Sequence, residues 1–454
     1  MPQKRKKDKK NNRQKKIIID QRVLFCLFFI VLLAAIYIKY VFGFNIPNMM
    51  IMGILGVCVL FGGRTEILGI AMCCIPMFTS LPYAYAILIC MVVYIVKYGK
   101  ELKIGKGLIL IFGIWLWELL HLLIGSYSFK TGTLGLYPYL LCAILMYSDS
   151  KKIEYRFLVK LVAFCTIAMC FTTMGRHLTD TNFDFGRAFM NMQRLGFDNE
   201  SIEITGAYFN PNMLGYLCIF ASVGLVQLIS IKSSTIWDGL MVIILIAFGT
   251  MTLSRTFLVC LAAMIILFIL AARSKIKSTF MLGIIILAVI LIFTVALPSV
   301  LNNFAERWLE DDITTGRGKL FIQYNNLLVS SPSILFFGLG LHQLGNKLGD
   351  ILGTSMIDVS HNGFQEILLA WGIPGLILFC GFILSTVVHA KKINKNMKLI
   401  NYIPLLLLLL KVQAGQLVTS YYTLLMFSMT YMSLIQNFEE FEGNASSLIE
   451  DTSR

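Results

Sequence analysis

Several short stretches of this chain carry side chains suited to holding an anion or moving a proton. Arg255 stands in LSRTFL between two apolar runs where only a tight turn fits, so its guanidinium must sit at a membrane boundary rather than in open water. A charge held there is costly and usually functional. Arg317 lies in TTGRGKLF, where Gly316 and Gly318 let the backbone approach a ligand, and Phe321, Tyr324 and Leu328 predict a helix after it. The start of a helix with an arginine beside it suits an anion. His361 opens the run SHNGFQEILLAWGIPGLILF beside an amide, Asn362, with a carboxylate, Glu366, about one helical turn below. An imidazole so placed suits general-base work on a hydroxyl, and Glu366 either orients the ring or is the base itself. Asn210 and Asn212, in YFNPNMLG, suit sugar hydroxyls or cap the helix that begins before Met213. Arg187 and Arg194 stand together in FGRAFMNMQRLGF.

Each of these has a plainer reading. Arg255 serves equally as an interfacial anchor, and a lone interfacial histidine such as His361 is ordinarily structural. The arginines of this set, with Arg176 and Arg307, also have acids nearby to pair with, among them Glu306, Glu310, Asp311 and Asp312. For Arg307 and its LEDD neighbour the ion-pair reading is preferred. Within apolar runs, Glu118 and His121 share one helix face, and Lys411 lies near Gln413 and Gln416. Intramembrane charges are normally paired. A structural bridge between Glu118 and Lys411 is the plain expectation there, and a proton or ion path the sharper one.

The elements that must position these groups are membrane helices. Hydrophobic residues make up 57% of the 454 residues and charged residues 14%, and the mean hydropathy is +0.75. No soluble fold has so little polar surface to wet. The 11 cysteines lie mostly in apolar runs without metal-ligand spacing, as small core residues do. The net charge of +14 comes from a Lys-rich start, Lys4 to Lys16, and short Lys-bearing loops. This is a topology and anionic-lipid signal, not one for nucleic acid.

Apolar runs fall at residues 22–42, 47–61, 66–80, 83–97, 107–125, 131–147, 157–175, 211–231, 236–253, 256–272, 279–298, 364–389, 400–417 and 419–436. The predicted fold is all-α, a polytopic integral membrane protein with about fourteen transmembrane helices, 12 to 14 allowing for doubtful spans in 43–97. The Lys clusters place both termini in the cytoplasm of a cell (inner) membrane protein and leave two long outer segments, 176–210 and 299–363. The second is a large, partly helical outer loop. Lys predominates inside, whereas Arg176, Arg187, Arg194, Arg255, Arg307 and Arg317 lie outside. Orientation alone needs no arginine; bidentate binding of phosphate or carboxylate does. The expected divisions are a basic cytoplasmic segment 1–21, transmembrane helices 22–204, a catalytic region 205–385, transmembrane helices 386–436 and an acidic cytoplasmic tail 437–454.

Four of these segments, FNPNMLGYL, TLSRTFLVCLAA, TTGRGKLFIQYNNLLVSSPSILFFGLGL and SHNGFQEILLAWGIPGLILF, together resemble the O-antigen ligase and polymerase family, which includes Wzy-type polymerases and WaaL-type ligases. The resemblance covers residues 205–385, and His361 with Gly372 also fits the His-x10-Gly spacing of the ligases. It implies a GT-C-like bundle and an inverting, metal-independent glycosyl transfer at the outer leaflet, with no cofactor. A polyprenyl (undecaprenyl) diphosphate-linked oligosaccharide would be both donor and acceptor, and a flippase and a chain-length regulator of the same pathway would be partners. In this frame Arg255 and Arg317 stabilise the leaving diphosphate, His361 or Glu366 takes the acceptor proton, Asn210, Asn212 and Asn362 bind substrate, and Arg187 and Arg194 close over the donor. No Arg-x10-Gly pair of the kind found in some polymerases occurs beside the last two. The Lys, Ile and Asn-rich composition tilts the expectation toward a polymerase of capsule, O-antigen-like or exopolysaccharide repeat units. A ligase is the alternative, and a lipid-linked oligosaccharide flippase a third reading from another class. Against the flippase, the chain shows no internal repeat and its outer segments are long, where an alternating-access fold commonly has two similar halves.

Overall fold

The computed structural model describes residues 21–77, 83–103, 108–124, 136–184, 195, 211–231, 234–271, 283, 317–341, 344–353, 360–415 and 421–438. Among these residues the protein is helical and contains no strand. That is what a bilayer demands, because backbone N–H and C=O groups find no water there and a helix satisfies them within one segment. The helices are α1 (Gln21–Val41), α2 (Asn48–Phe61), α3 (Arg64–Met77), α4 (Tyr83–Tyr98), α5 (Leu108–Ile124), α6 (Leu136–Asp149), α7 (Tyr155–Asp180), α8 (Pro211–Ser230), α9 (Ile236–Met251), α10 (Arg255–Ala271), α11 (Arg317–Ser330), α12 (Pro332–Phe337), α13 (Leu344–Leu352), α14 (Gly363–Ile393), α15 (Leu399–Ala414) and α16 (Tyr421–Ile435). Each predicted apolar run forms a helix except 279–298, which lies outside the described residues but for Gly283.

Among the described residues four helices, α1, α7, α8 and α14, are long and apolar enough to cross a membrane by themselves, and α2, α5, α9, α10, α15 and α16 contain shorter apolar stretches. α8 is buried along nearly its whole length, and it packs against α7, α9, α10 and α15 as the hub of the bundle. The outer surfaces of α1 and α10 instead expose Leu27, Ile30, Val31, Ile266 and Leu270, which suits contact with lipid.

The two ends of the bundle are built differently. One end is an ion-pair belt: Arg22 bonds Glu66 at 2.7 Å and Glu154 at 2.9 Å, Arg64 bonds Asp149 and, at 2.6 Å, Glu101, and Lys152 bonds Glu101 at 2.7 Å. On the same end Asn394 and Asn401 donate to the carbonyl of Gln436, tying the end of α14 and the start of α15 to the end of α16. The opposite end carries the starts of α8, α10 and α14, and it is there that the chemistry-bearing segments converge.

Candidate functional site

The α9–α10 connection is the tight turn that the sequence required, spanning only Thr252, Leu253 and Ser254. Thr252 Oγ1 donates to the Gly249 carbonyl at 2.6 Å, and Ser254 Oγ accepts the Phe257 N–H at 3.3 Å, capping α10. Leu253 takes a positive φ of 50°, a conformation that a branched side chain adopts only under constraint. The constraint is packing. A Cβ on Gly249 would lie 2.3 Å from the Phe257 ring, and one on Gly215 of α8 would lie 3.1 Å from both Phe257 Cβ and Thr252 Oγ1. Leu195 docks on the same turn, its N–H donating to the Met251 carbonyl at 2.9 Å.

Arg255 is therefore the first residue of a helix whose cap and turn are both fixed. A cation is misplaced at the positive end of a helix dipole; an anion there meets the guanidinium and the helix N–H groups together. Arg317 is the first described residue of α11. It interacts electrostatically with Tyr216 of α8, whose hydroxyl in turn hydrogen-bonds with Thr256, the residue after Arg255. Lys411 of α15 places Nζ 5.0 Å from the centroid of the same Tyr216 ring, within cation–π range. Tyr216 is thus the side chain around which Arg317, Thr256 and Lys411 gather.

The start of α14 completes this end of the bundle. Asn362 caps it, Oδ1 accepting the N–H groups of Phe364 and Gln365, both at 3.1 Å, while Nδ2 donates to the Gln413 carbonyl at 3.3 Å and to Gln413 Oε1 at 3.2 Å. Gln365 is held by Ser360, whose Oγ donates to Oε1, and its Nε2 donates to Asn325 Oδ1 at 2.8 Å and the Phe321 carbonyl at 2.9 Å. Asn362 and Gln365 therefore fasten α14 to α15 and to α11. His361 precedes the cap and is half-buried, whereas Glu366, one turn below, is fully buried.

Glu366 is the acid that acts on Lys411, which corrects the bridge expected between Glu118 and Lys411. Glu118 has other partners: Oε2 accepts the Leu341 N–H at 3.0 Å and the Trp371 indole N–H at 2.6 Å. The same face of α5 supplies Trp117, whose Nε1 donates to the Trp371 carbonyl at 3.1 Å, and His121, whose Nε2 donates to the Phe337 carbonyl at 2.9 Å. These bonds surround a break in α14 at Gly372, with φ 64° and ψ −162°, two residues before Pro374. Proline has no N–H for the Ala370 carbonyl, and the Gly340 N–H takes its place at 2.7 Å, with the Leu339 N–H on the Leu369 carbonyl at 2.8 Å. A Cβ on Gly338 would lie 2.4 Å from the Ala370 oxygen, and one on Gly372 would lie 2.6 Å from the Phe336 carbonyl carbon. The His361–Gly372 spacing thus sets the distance from the head of α14 to its break.

Of the residues singled out from sequence, Arg255 (through its neighbour Thr256), Arg317, Asn362 and Glu366 converge on the Tyr216–Lys411–Gln413 cluster, and His361 sits beside Asn362. Asn212 lies half-buried in the first turn of α8, one turn before Tyr216. Arg176 pairs with Asp180 at 2.8 Å, as its plainer reading has it. Arg187, Arg194, Asn210 and Arg307 lie outside the described residues. Sequence reasoning named Gln413 only as a neighbour of Lys411 and passed over Tyr216 and Gln365; the available signal was Tyr216 at helical spacing from Asn212.

Residues 239–380 match a family model described as O-antigen ligase. The matched stretch runs from α9 into the second half of α14 and includes Arg255, Arg317, His361, Asn362, Glu366 and Gly372, while Tyr216 and Lys411 lie on either side of it. No curated protein matches the chain at a significant level.

Proposed function

Because residues 239–380 match a family model described as O-antigen ligase, we propose that this chain is a member of the O-antigen ligase/polymerase family, a membrane-embedded glycosyltransferase that polymerises polyprenyl diphosphate-linked oligosaccharide repeat units at the outer leaflet. The observation that carries the reading is the gathering of Arg317, Thr256 and Lys411 on Tyr216, with Arg255 next to Thr256 and the head of α14 fastened alongside.

In the reaction, the acceptor hydroxyl oxygen attacks the anomeric carbon of the donor sugar from the face opposite the diphosphate, so the configuration inverts. The bond from that carbon to the diphosphate oxygen breaks, and its electron pair leaves with the polyprenyl diphosphate. Negative charge grows on the departing oxygens, and the guanidinium groups of Arg255 and Arg317 are the donors suited to it. Their setting, half-buried and against apolar helices, strengthens such interactions relative to open water. The acceptor proton passes to a base at the head of α14, His361 or Glu366. Asn212 is assigned to sugar hydroxyls, Asn362 serves the site by capping α14 and holding Gln413, and Arg187, Arg194 and Asn210 keep the donor-binding roles that the resemblance implies. The reading includes about fourteen crossings with both termini cytoplasmic, and a flippase and a chain-length regulator as pathway partners.

A ligase uses the same donor and differs only in the acceptor, and the description of the matched family favours keeping it as the second reading. Surface polysaccharide length in a deletion strain complemented with wild type, Arg255→Ala, Arg317→Lys or His361→Ala separates them. Long chains with wild type and single carrier-linked repeat units with the variants support polymerisation. Full-length chains that stay on the carrier in the variants point to the ligase, and unchanged surface polysaccharide in correctly inserted variants overturns both.

A further inference from the structure

Glu366 and Lys411 are buried charges of opposite sign, 0% and 1% exposed, contributed by different helices. The ends of those helices are tied one turn away by the two hydrogen bonds from Asn362 to Gln413. Glu366 lies a turn below Asn362, its N–H donating to the Asn362 carbonyl at 2.9 Å, and Lys411 precedes Gln413 by two positions. Carboxylate and ammonium thus occupy the level of the site just beneath His361. Among the described residues, α8 sets the Tyr216 ring 5.0 Å from Nζ, α10 brings Cys260 close enough to act on Lys411, and Arg317 of α11 acts on Tyr216 in turn.

A buried charge is tolerated when an opposite charge compensates it, and removing one partner strands the other. A carboxylate held in this way is a poor proton acceptor, because protonating it would leave the buried ammonium uncompensated. We propose that Lys411, a residue of α15 beyond the matched region, is a positioning residue: its buried ammonium, set against Glu366, keeps that carboxylate charged and fixes the first turns of α14, so that His361 receives the acceptor's proton. The proton leaves the acceptor oxygen for an imidazole nitrogen as the new glycosidic bond forms and the diphosphate departs. This rests on the glycosyl-transfer reading given above.

The test uses membranes of the deletion strain carrying each variant, supplied with the lipid-linked repeat units that the strain accumulates, with chain length followed from about pH 5 to 9. Wild-type membranes that make no polymer would sink the polymerase reading on which this rests rather than the pairing. With polymer formed, Glu366→Gln and Lys411→Met are each expected to lower turnover at least about tenfold, since each strands one buried charge. The double variant, neutral at both positions, is expected to return to within about fivefold of wild type and to keep the wild-type acid limb. His361→Gln is expected to abolish turnover in either background. A double variant that inserts at the wild-type level and is as inactive as His361→Gln overturns the proposal. A second measurement needs no variant: the acid limb of wild type should move on warming as imidazole ionisation does, and a limb indifferent to temperature, as a carboxylate gives, overturns it equally.

Discussion

Trp371 donates its indole N–H to Glu118 Oε2 across 2.6 Å, and the same oxygen accepts the Leu341 N–H at 3.0 Å. One carboxylate on α5 therefore holds both the helix that carries the head of the candidate site and the segment that leads away from α11 and α12. Glu118→Ala removes the acceptor from two donors in a buried place, each worth about 1–3 kcal/mol when left unsatisfied. Thermal unfolding in detergent should show a large fall for Glu118→Ala and a small one for Glu118→Gln, which retains an acceptor oxygen. Equal falls would show that the charge, not the acceptor, is what matters.

The break in α14 makes a second prediction. Gly372→Ala puts a Cβ 2.6 Å from the Phe336 carbonyl carbon at a φ of 64°, combining backbone strain of about 1–3 kcal/mol with a backbone clash. Folded protein recovered from membranes should drop severalfold. Gly53→Ala is the control, since a Cβ there meets nothing within 4 Å, and alanine in a helix interior is expected to add about 0.5–1 kcal/mol.

Tyr216 is the centre of the site geometry, so Tyr216→Phe should separate its two contributions. The ring under Lys411 remains, while the hydroxyl that bonds Thr256 is lost. A neutral hydrogen bond is worth about 1 kcal/mol, which corresponds to a several-fold loss of turnover. Tyr216→Ala should lose far more. Initial rates of chain extension by membranes matched for protein level measure both, and identical rates for wild type and Tyr216→Ala would remove this residue from the site.

Acid should weaken the opposite end of the bundle in a defined way. Lys152 and then Arg64 hold the Glu101 carboxyl below its ordinary value of 4.5. A carboxylate with a depressed folded value lends stability above its unfolded pKa and loses it as pH falls through the folded one. Wild type should therefore melt slightly above Glu101→Gln at neutral pH, and the two should coincide once the pH is well below 4.5. Because Glu101 is exposed, the neutral-pH difference should also shrink at about 1 M salt.

The helical elements were legible because the bilayer leaves one backbone solution, and the runs at 157–175 and 211–231 needed only their ends adjusted, to α7 and α8. The turn before Arg255 was legible for the same reason, since no longer link fits between two apolar runs. The partner of Lys411 was not legible: Glu118 and Glu366 are equally eligible acids in sequence, and only the fastening of Asn362 to Gln413 brings Glu366 to it. Nor was the break at Gly372, because Gly and Pro in a membrane helix are common and what matters is which backbone N–H groups meet the freed carbonyls.

Those N–H groups have a bearing on how substrate enters. Leu339 and Gly340 occupy carbonyls that α14 itself leaves open, so lifting this stretch would bare two acceptors beside an apolar bundle, at several kcal/mol each in a lipid-like medium. Residues 338–341 therefore behave as masonry rather than as a door. On the proposed function, a gate that admits a lipid-borne glycan to Arg255 and Arg317 has to swing on some other hinge.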